Sequence, residues 1–282
     1  MEETLNNVLK KKSTNISINK DRYKKILNDI ILEIKDNKEE FKRVNDIDGN
    51  VYDTNIDIEK LINIIKDSQE KELILEPNSK NILISYYGSP YITLELCIEA
   101  IKTNNKLILA IEDYMLGVNK LIVNMVQNIL NDYRIENKIF IFNLLDKNAI
   151  TQNNSDIDKI ICVGNKNTFE LYKKMQVNNL IYYPFNNIEL YCDTDELEEL
   201  QEMIYQYAEK NFIDLEIYDE FENINKAVEY LNKYGNKFCT VLLTKSKENE
   251  EIFRNNIISK YIFVNENPFG KYEFNIDKYI KT

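Results

Sequence analysis

The chain has 282 residues, of which 44% are hydrophobic and 29% charged, a balance that suits a folded protein with a buried core. Its 36 basic and 47 acidic residues give a formal charge of −11, which disfavours nucleic acid and anionic membranes as partners. The sequence contains no histidine, which removes the commonest general base and metal ligand.

The sequence also gives expectations about cellular location and metal binding. We find neither the apolar core of a signal peptide nor the run of about 20 apolar residues that a membrane helix needs. Four cysteines without paired short spacings suit reduced thiols and neither a disulfide framework nor a zinc cluster. We therefore expect a cytoplasmic protein without a metal and without a membrane partner.

The first part of the chain is predicted to be helical. Apolar residues recur at intervals of three and four over residues 21–41, and again over 56–65. A loop over 45–53 is expected between these helices. Its acidic part, 46–50, has the composition of a calcium loop but not the spacing, so we predict a solvated turn. Lys10 to Lys12 are interpreted as a mobile tail.

Strands and helices alternate in the rest of the chain, which indicates parallel sheets covered on both faces. The predicted strands cover residues 81–87, 106–111, 138–145, 159–163, 180–183, 188–191, 215–218, 238–244 and 260–264. Helices are predicted from the apolar positions 94–101, and over 118–130, 168–175, 195–208, 224–231 and 248–257. We expect an α/β fold with N-terminal helices and a Rossmann-like lobe over residues 1–187. A smaller α/β lobe is expected over 188–282.

Several phrases resemble the aldehyde dehydrogenase superfamily, including its gamma-glutamyl phosphate reductase branch. The clearest are AVEYLNKYG at 227–235, VLLT at 241–244 and FVN at 263–265. Earlier ones are NDIDG at 45–49, SPY at 89–91, LCIEAIKTNN at 96–105 and DKIICVGN at 158–165. These are structural phrases, so the resemblance implies an aldehyde dehydrogenase-like fold more directly than it implies that family's chemistry.

The resemblance also implies where the family's oxyanion donor and cofactor lysine would stand. The asparagine that donates to the oxyanion corresponds to Gly88, beside Ser89. The lysine that contacts the adenosine ribose corresponds to Ala110, which is followed by Glu112 and Asp113. Two carboxylates at that place repel phosphate. We therefore expect NAD and NADP to bind weakly or not at all.

The same comparison leaves no base and no nucleophile. The phrase that supplies the base corresponds to YYPF at 182–185. The helix predicted at 195–208 runs almost directly into the strand at 215, where the family inserts the loop that carries its cysteine. The resemblance thus implies a shortened relative with no catalytic residue, a pseudoenzyme.

Weaker candidates for cofactor binding are the turn residues Gly88, Ser89, Gly164 and Asn165. The turn at 163–165 precedes a predicted helix, so it either offers N–H groups to an anion or forms an ordinary cap. The sequence contains no G-x-G-x-x-G phrase, and NAD or NADP is suggested by the fold alone. No cofactor is expected.

The remaining side chains of interest have plain structural readings. Four cysteines fall in a predicted helix or in or at the ends of predicted strands, and we expect them to pack in the core: Cys97, Cys162, Cys192 and Cys239. The acidic run at 196–199 with Glu202 is expected to be a solvated helix face. Three tyrosines either line a remnant of the family's cleft or simply suit strands: Tyr182, Tyr183 and Tyr191.

Three classes of function remain. The first is a non-catalytic binding or regulatory protein that pairs with itself or with an intact relative of the family. The second is an enzyme of altered chemistry, of the NAD(P)-dependent oxidoreductase type or another, that uses Asp, Glu or Tyr. The third is a decaying gene product with no present role. We favour the first class.

Overall fold

A computed structural model describes most of the chain. The described residues are 4–14, 18–49, 56–71, 73, 79–111, 116–143, 147–164, 166–185, 187–210, 213–269, 271, 274, 276 and 280. The chain divides into two compact units, one formed by Met1–Tyr183 with Ile276–Thr282 and the other by Pro184–Asn275. The division expected from the sequence falls between residues 187 and 188. The mixed α/β class with parallel sheets is confirmed.

The first unit is built around a five-stranded parallel sheet with the order β3-β2-β1-β4-β5. Its strands are β1 Asn81–Tyr86, β2 Lys106–Ile111, β3 Ile139–Asn143, β4 Lys159–Val163 and β5 Leu180–Tyr183. Its helices are α1 Leu5–Lys10, α2 Lys20–Asp36, α3 Lys38–Gly49, α4 Ile58–Gln69, α5 Pro90–Thr103, α6 Leu116–Asp132, α7 Lys147–Gln152 and α8 Lys166–Lys174. Strands β2 and β4 are buried along their whole length, as a sheet covered on both faces requires.

The N-terminal helices differ from the prediction in where they begin and end. The helix predicted at 21–41 is two helices, because α2 ends at Asp36 and α3 begins at Lys38. The predicted loop at 45–53 was wrong for Asn45 to Gly49, which continue α3, while 50–53 lie outside the described residues. Two polar side chains explain the extension, since Asn45 Oδ1 accepts a hydrogen bond from the Ile56 nitrogen and Asp48 binds the start of α6. The predicted turn is therefore also wrong for Asp46 to Gly49, which are helical.

The predicted tail at Lys10 to Lys12 is also wrong, because this segment packs on the first unit. Leu5 and Val8 of α1 are buried in a core cluster with Ile108. The Lys106 ammonium donates to the carbonyls of Val8 and Lys11. These partners lie more than 90 residues away, so local sequence carries no sign of them.

The second unit contains a four-stranded parallel sheet with the order β7-β6-β8-β9. Its strands are β6 Asn187–Cys192, β7 Asp214–Tyr218, β8 Cys239–Leu243 and β9 Tyr261–Val264, and its helices are α9 Glu198–Lys210, α10 Ile224–Tyr234 and α11 Lys247–Asn256. A short 3-10 turn, Asp195–Leu197, leads into α9. Helices α10 and α11 bury Ala227, Leu231 and Phe253 against Leu242 of β8.

Candidate functional site

The predicted cofactor candidates lie at the carboxyl edge of the five-stranded sheet. Gly88 and Ser89 follow β1 and Gly164 follows β4, while Asn165 lies outside the described residues. Strands β1 and β4 are neighbours in the sheet, with Ser85 paired to Cys162. The strand order reverses between them, so the two turns meet at a topological switch point, where open α/β sheets bind ligands.

A buried polar network holds the turn after β1. The hydroxyl oxygens of Tyr86 and Thr93 are 2.6 Å apart, and Thr93 also donates to Asn119 Oδ1. Asn119 in turn donates from Nδ2 to the carbonyl of Gly88. Gly88 has a φ of 90°, a left-handed value that glycine adopts without strain. Burial raises the pKa of Tyr86 far above its usual value, so this phenol stays protonated and acts as a structural donor or acceptor.

The groups that face a ligand at this switch point are few. Ser89 precedes α5 and its side chain makes no capping hydrogen bond, while its carbonyl accepts from the Thr93 nitrogen at 2.9 Å. The Gly164 N–H donates to the carbonyl of Tyr183 at 2.9 Å, so the sheet already uses this donor. Among the described residues of these turns, the polar side chains are those of Tyr87 and Ser89.

The N-terminus of α6, the helix after β2, holds a carboxylate of the same unit. Asp48 accepts hydrogen bonds from the backbone nitrogens of Val118 at 2.8 Å and Gly117 at 3.3 Å. Helix N-termini attract phosphate through their free N–H groups, and here those groups already bind an anion. Ala110, where the resemblance implies the cofactor lysine, is buried in β2. Glu112 and Asp113 lie outside the described residues.

All four cysteines are free thiols in buried positions, which confirms their predicted place in the core. Burial raises the pKa of Cys162 to about 12. Burial, with the nearby carboxylates of Asp219 and Asp193, raises the pKa of Cys192 to about 11. The pKa values of Cys97 and Cys239 are raised still further, again chiefly by burial. Since the thiolate is the nucleophile, none of these groups is activated at neutral pH.

The stretch 182–185, where the resemblance implies the family's base, contains packed aromatic rings. In the first unit, the ring centroid of Tyr182 lies 5.1 Å from that of Phe169, and Tyr183 is buried. In the second unit, Phe185 contacts Phe238 and Phe274 edge-on, at 5.7 and 5.0 Å. These positions supply packing and hold no carboxylate.

The second unit contains a cavity of about 960 Å³, which the sequence analysis did not predict. It lies at the carboxyl ends of β6 and β7. The cavity is lined by Tyr191, Cys192, Asp193, Thr194, Glu198, Gln201, Glu202, Tyr205, Ile217, Asp219, Phe221, Glu222, Asn223, Ile224 and Asn249. Five of these described lining residues are carboxylates and none is a lysine or arginine, so the walls favour cations.

Asp193 is the carboxylate that the structure positions most firmly in this cavity. Its Oδ2 accepts hydrogen bonds from Thr244 Oγ1 at 2.7 Å and from Asn249 Nδ2 at 2.6 Å. Beside it, burial and the charges of Asp193 and Cys192 raise the pKa of Tyr191. Of the three tyrosines considered from the sequence, Tyr191 lines this cavity.

Neither a metal-binding cluster nor a membrane-spanning helix is found in the described residues. The described residues hold no group of three or more Cys, Asp or Glu placed to bind a metal ion. No helix in the described part of the chain has the length and apolarity to span a membrane.

Comparisons with known proteins show a likeness of fold. No protein-family model matches the chain, and no curated protein matches it by sequence. Solved structures do match. The gamma-glutamyl phosphate reductase of Thermotoga maritima aligns with a TM-score of 0.58 and 14% identity, over 89% of this chain and 84% of that one.

Two other enzymes show the same likeness. An acetylating aldehyde dehydrogenase from Geobacillus thermoglucosidasius aligns with a TM-score of 0.59 and 9% identity, over 92% of this chain and 83% of that chain. The glyceraldehyde-3-phosphate dehydrogenase of Methanocaldococcus jannaschii, solved with NADP, aligns with a TM-score of 0.57 and 11% identity, with coverage of 92% and 83%. Identities this low establish the fold alone, and the fold predicted from the resemblance is confirmed.

Proposed function

We propose that this chain is a non-catalytic protein, which keeps the aldehyde dehydrogenase fold and acts by binding or regulation. The observation that carries the proposal is the burial of all four cysteines, each with a raised pKa. The family's reaction requires an accessible thiolate that attacks a carbonyl carbon. A thiol with a pKa of about 11, such as that of Cys192, provides very little thiolate at neutral pH.

The connection between α9 and β7 supports the same proposal. Helix α9 ends at Lys210 and β7 begins at Asp214, which leaves three residues where the family resemblance implies a long insert with the nucleophile. The aromatic stretch at 182–185 and Gly88 likewise stand where that resemblance implies a base and an oxyanion donor. Independent losses at several positions argue against a simple relocation of one catalytic group.

We further propose that neither NAD nor NADP is a working cofactor. Asp48 of α3 places a negative charge beside the N-terminus of α6 and occupies the backbone N–H groups of Gly117 and Val118. Ala110 supplies no positive charge. Together these features disfavour phosphate near the second strand. A cytoplasmic location fits four reduced cysteines. Pairing with itself or with an intact relative of the family is part of the proposal.

The test is an assay for turnover alongside calorimetry. Purified chain is incubated with NAD or NADP and a set of aldehydes, and in the reverse direction with reduced cofactor and acyl phosphates. An active gamma-glutamyl phosphate reductase serves as the positive control. We expect no change in absorbance above background and no dissociation constant tighter than about 10 µM for either dinucleotide. Turnover with either cofactor contradicts the proposal.

The cavity in the second unit favours a second candidate, an enzyme of altered chemistry. Asp193 is held in the cavity wall and Glu198, Glu202, Asp219 and Glu222 surround it, so carboxylates are available for acid–base work. If the assay above detects turnover, Asp193→Asn should abolish it. Turnover that survives in Asp193→Asn would assign the chemistry to another place.

A further inference from the structure

The two units differ sharply in charge. The unit Pro184–Asn275 contains 19 acidic and 9 basic residues, a formal charge of −10. The other unit contains 28 acidic and 27 basic residues, so it is nearly neutral. Almost the whole negative charge of the chain therefore lies on the smaller unit, which concentrates the field there.

The smaller unit also exposes most of the large apolar side chains that face solvent. Seven of the nine in the described residues belong to it: Met203, Tyr205, Tyr207, Ile217, Tyr230, Tyr234 and Ile258. Tyr230 is 40% exposed and Tyr234 is 56% exposed, with ring centroids 5.0 Å apart. Exposed aromatic groups of this kind are typical of binding surfaces, since they contribute large contact area at a small loss of conformational entropy.

These features converge on strand β7. It stands at one end of the sheet order, and within the described residues it pairs only with β6. Ile217 points into the cavity, near Tyr205 of α9. Tyr218 points to the opposite face, where its ring packs on Phe221 and Tyr230 at centroid distances of 5.8 and 5.7 Å. The edge of β7 thus has the acidic cavity at Ile217 and aromatic rings at Tyr218, and Phe221 belongs to both.

We propose that this acidic edge, formed by β7 and the exposed cavity residues Glu198, Asp219 and Glu222, binds an extended, arginine- or lysine-rich segment of a partner protein. Such a segment would add to β7 as a further strand, with main-chain hydrogen bonds along the edge. The inference rests on the proposed binding role and gives its partner a chemistry.

The two faces of the edge explain the preference for basic residues. Side chains alternate between the faces of an added strand, so alternate positions reach the five carboxylates of the cavity. The positions between them reach Tyr218 and Tyr230, whose rings accept either an apolar group or a guanidinium. A second copy of the chain is disfavoured as the occupant, because two units of charge −10 repel each other.

The test uses the full chain and a fluorescein-labelled peptide of about nine residues that alternates arginine and valine. A peptide with glutamate in place of arginine is the charge control, and a peptide with all arginines first and all valines last is the pattern control. Fluorescence anisotropy measures binding at low and at near-physiological salt. We expect the alternating peptide to bind and both control peptides to bind at least about tenfold more weakly.

Matched variants locate the surface. Glu198→Gln, Asp219→Asn and Glu222→Gln, combined in one chain, remove three exposed charges from the acidic edge. Asp36→Asn, Asp67→Asn and Asp132→Asn, also combined, remove three exposed charges from the other unit. We expect the first set to weaken binding about tenfold and the second to leave it within about twofold. Equal weakening by both sets would mean a response to net charge alone and would overturn the proposal.

Other outcomes also decide. Equal binding of the two arginine peptides overturns the strand-addition part, and so does complete displacement of the alternating peptide by equimolar spermine. A third outcome is that none of the three peptides binds, while the chain self-associates and the edge variant abolishes this self-association. That result assigns the edge to a second copy of the chain and overturns the proposal. Dehydrogenase turnover would contradict the non-catalytic function and leave peptide binding intact, so the two failures are distinguishable.

Discussion

Asp48 Oδ2 lies 2.8 Å from the backbone nitrogen of Val118, 70 residues further along the chain, and so caps the N-terminus of α6. Its Oδ1 accepts a second bond from Gly117 at 3.3 Å. A carboxylate at this place satisfies N–H groups that the helix leaves unbonded and interacts favourably with the helix dipole. The contact attaches α3 to the helix that follows β2.

Replacing Asp48 by alanine should therefore destabilise the protein. We expect a loss of about 1–2 kcal/mol in the free energy of unfolding, the usual cost of removing a helix cap. Asp46→Ala is the matched control, because Asp46 is exposed on the same helix, and it should cost less than about 0.5 kcal/mol. Urea denaturation followed by circular dichroism measures both. Equal losses would contradict the capping role.

Gly235 should not tolerate a side chain. A Cβ at this position would lie 2.4 Å from the Leu231 carbonyl oxygen and 2.6 Å from Oε1 of Glu189, a buried carboxylate that accepts a hydrogen bond from the Asn236 nitrogen. We expect Gly235→Ala to cost about 2–4 kcal/mol, because backbone as well as a buried side chain must move.

Lys233→Ala is the control for Gly235→Ala. Lys233 is exposed in the last turn of α10, just before Gly235, and its replacement should change the free energy of unfolding by less than about 0.5 kcal/mol. Thermal unfolding separates the two results. A Gly235→Ala protein as stable as Lys233→Ala would show that the turn after α10 rearranges freely.

Lys138 should make stability depend on pH in the alkaline range. Its ammonium is buried and donates to the carbonyl and to Oδ1 of Asn104, at 2.7 and 2.8 Å. Burial, assisted by the charge of Lys106, lowers the pKa of Lys138 to about 8. The pKa of a lysine in an unfolded chain is about 10.4. Between these values the unfolded chain binds more protons than the folded one, so the stability that this group contributes rises with pH.

The measurement compares the wild type with Lys138→Met by urea denaturation at pH 7, 8, 9 and 10, about the range of the expected change. The difference in unfolding free energy, wild type minus variant, should increase from pH 8 to pH 10. A difference that stays flat or decreases would mean that the folded lysine titrates at its ordinary pKa or above.

Much of the fold could be predicted because its central strands are buried on both faces. The limits of β2 and β4 match the prediction residue for residue, since a covered parallel strand is a continuous apolar run. Helix α1 and the end of α3 could not be predicted. Lys106 and Val118, which help hold them, lie far along the chain, and no local pattern reveals such partners.

The candidate sites were predictable only in part. Gly88 and Gly164 mark turns in the sequence, but the neighbouring positions of β1 and β4 depend on the sheet order, which the sequence does not state. The cavity of the second unit was missed for the same reason, although Cys192 and Asp193 directly follow a predicted strand. One signal was present, because the acidic excess of the chain is concentrated in this unit and can be counted from the sequence.

Alkylation of the thiols tests the central claim most directly, because it requires no knowledge of a substrate. Native protein is treated with iodoacetamide near neutral pH, and the extent of modification of Cys97, Cys162, Cys192 and Cys239 is followed by intact mass. A parallel sample in guanidinium exposes all four. Burial limits access and the raised pKa values limit thiolate, so the native protein should remain mostly unmodified while the unfolded protein gains four adducts.

Peptide mapping then identifies any site that reacts. Slow and uniform modification, well below the rate of free cysteine, is the result that a non-catalytic aldehyde dehydrogenase fold predicts. Rapid modification of one residue in the native protein, above all Cys192 in the wall of the cavity, would reveal an activated thiol and contradict the account.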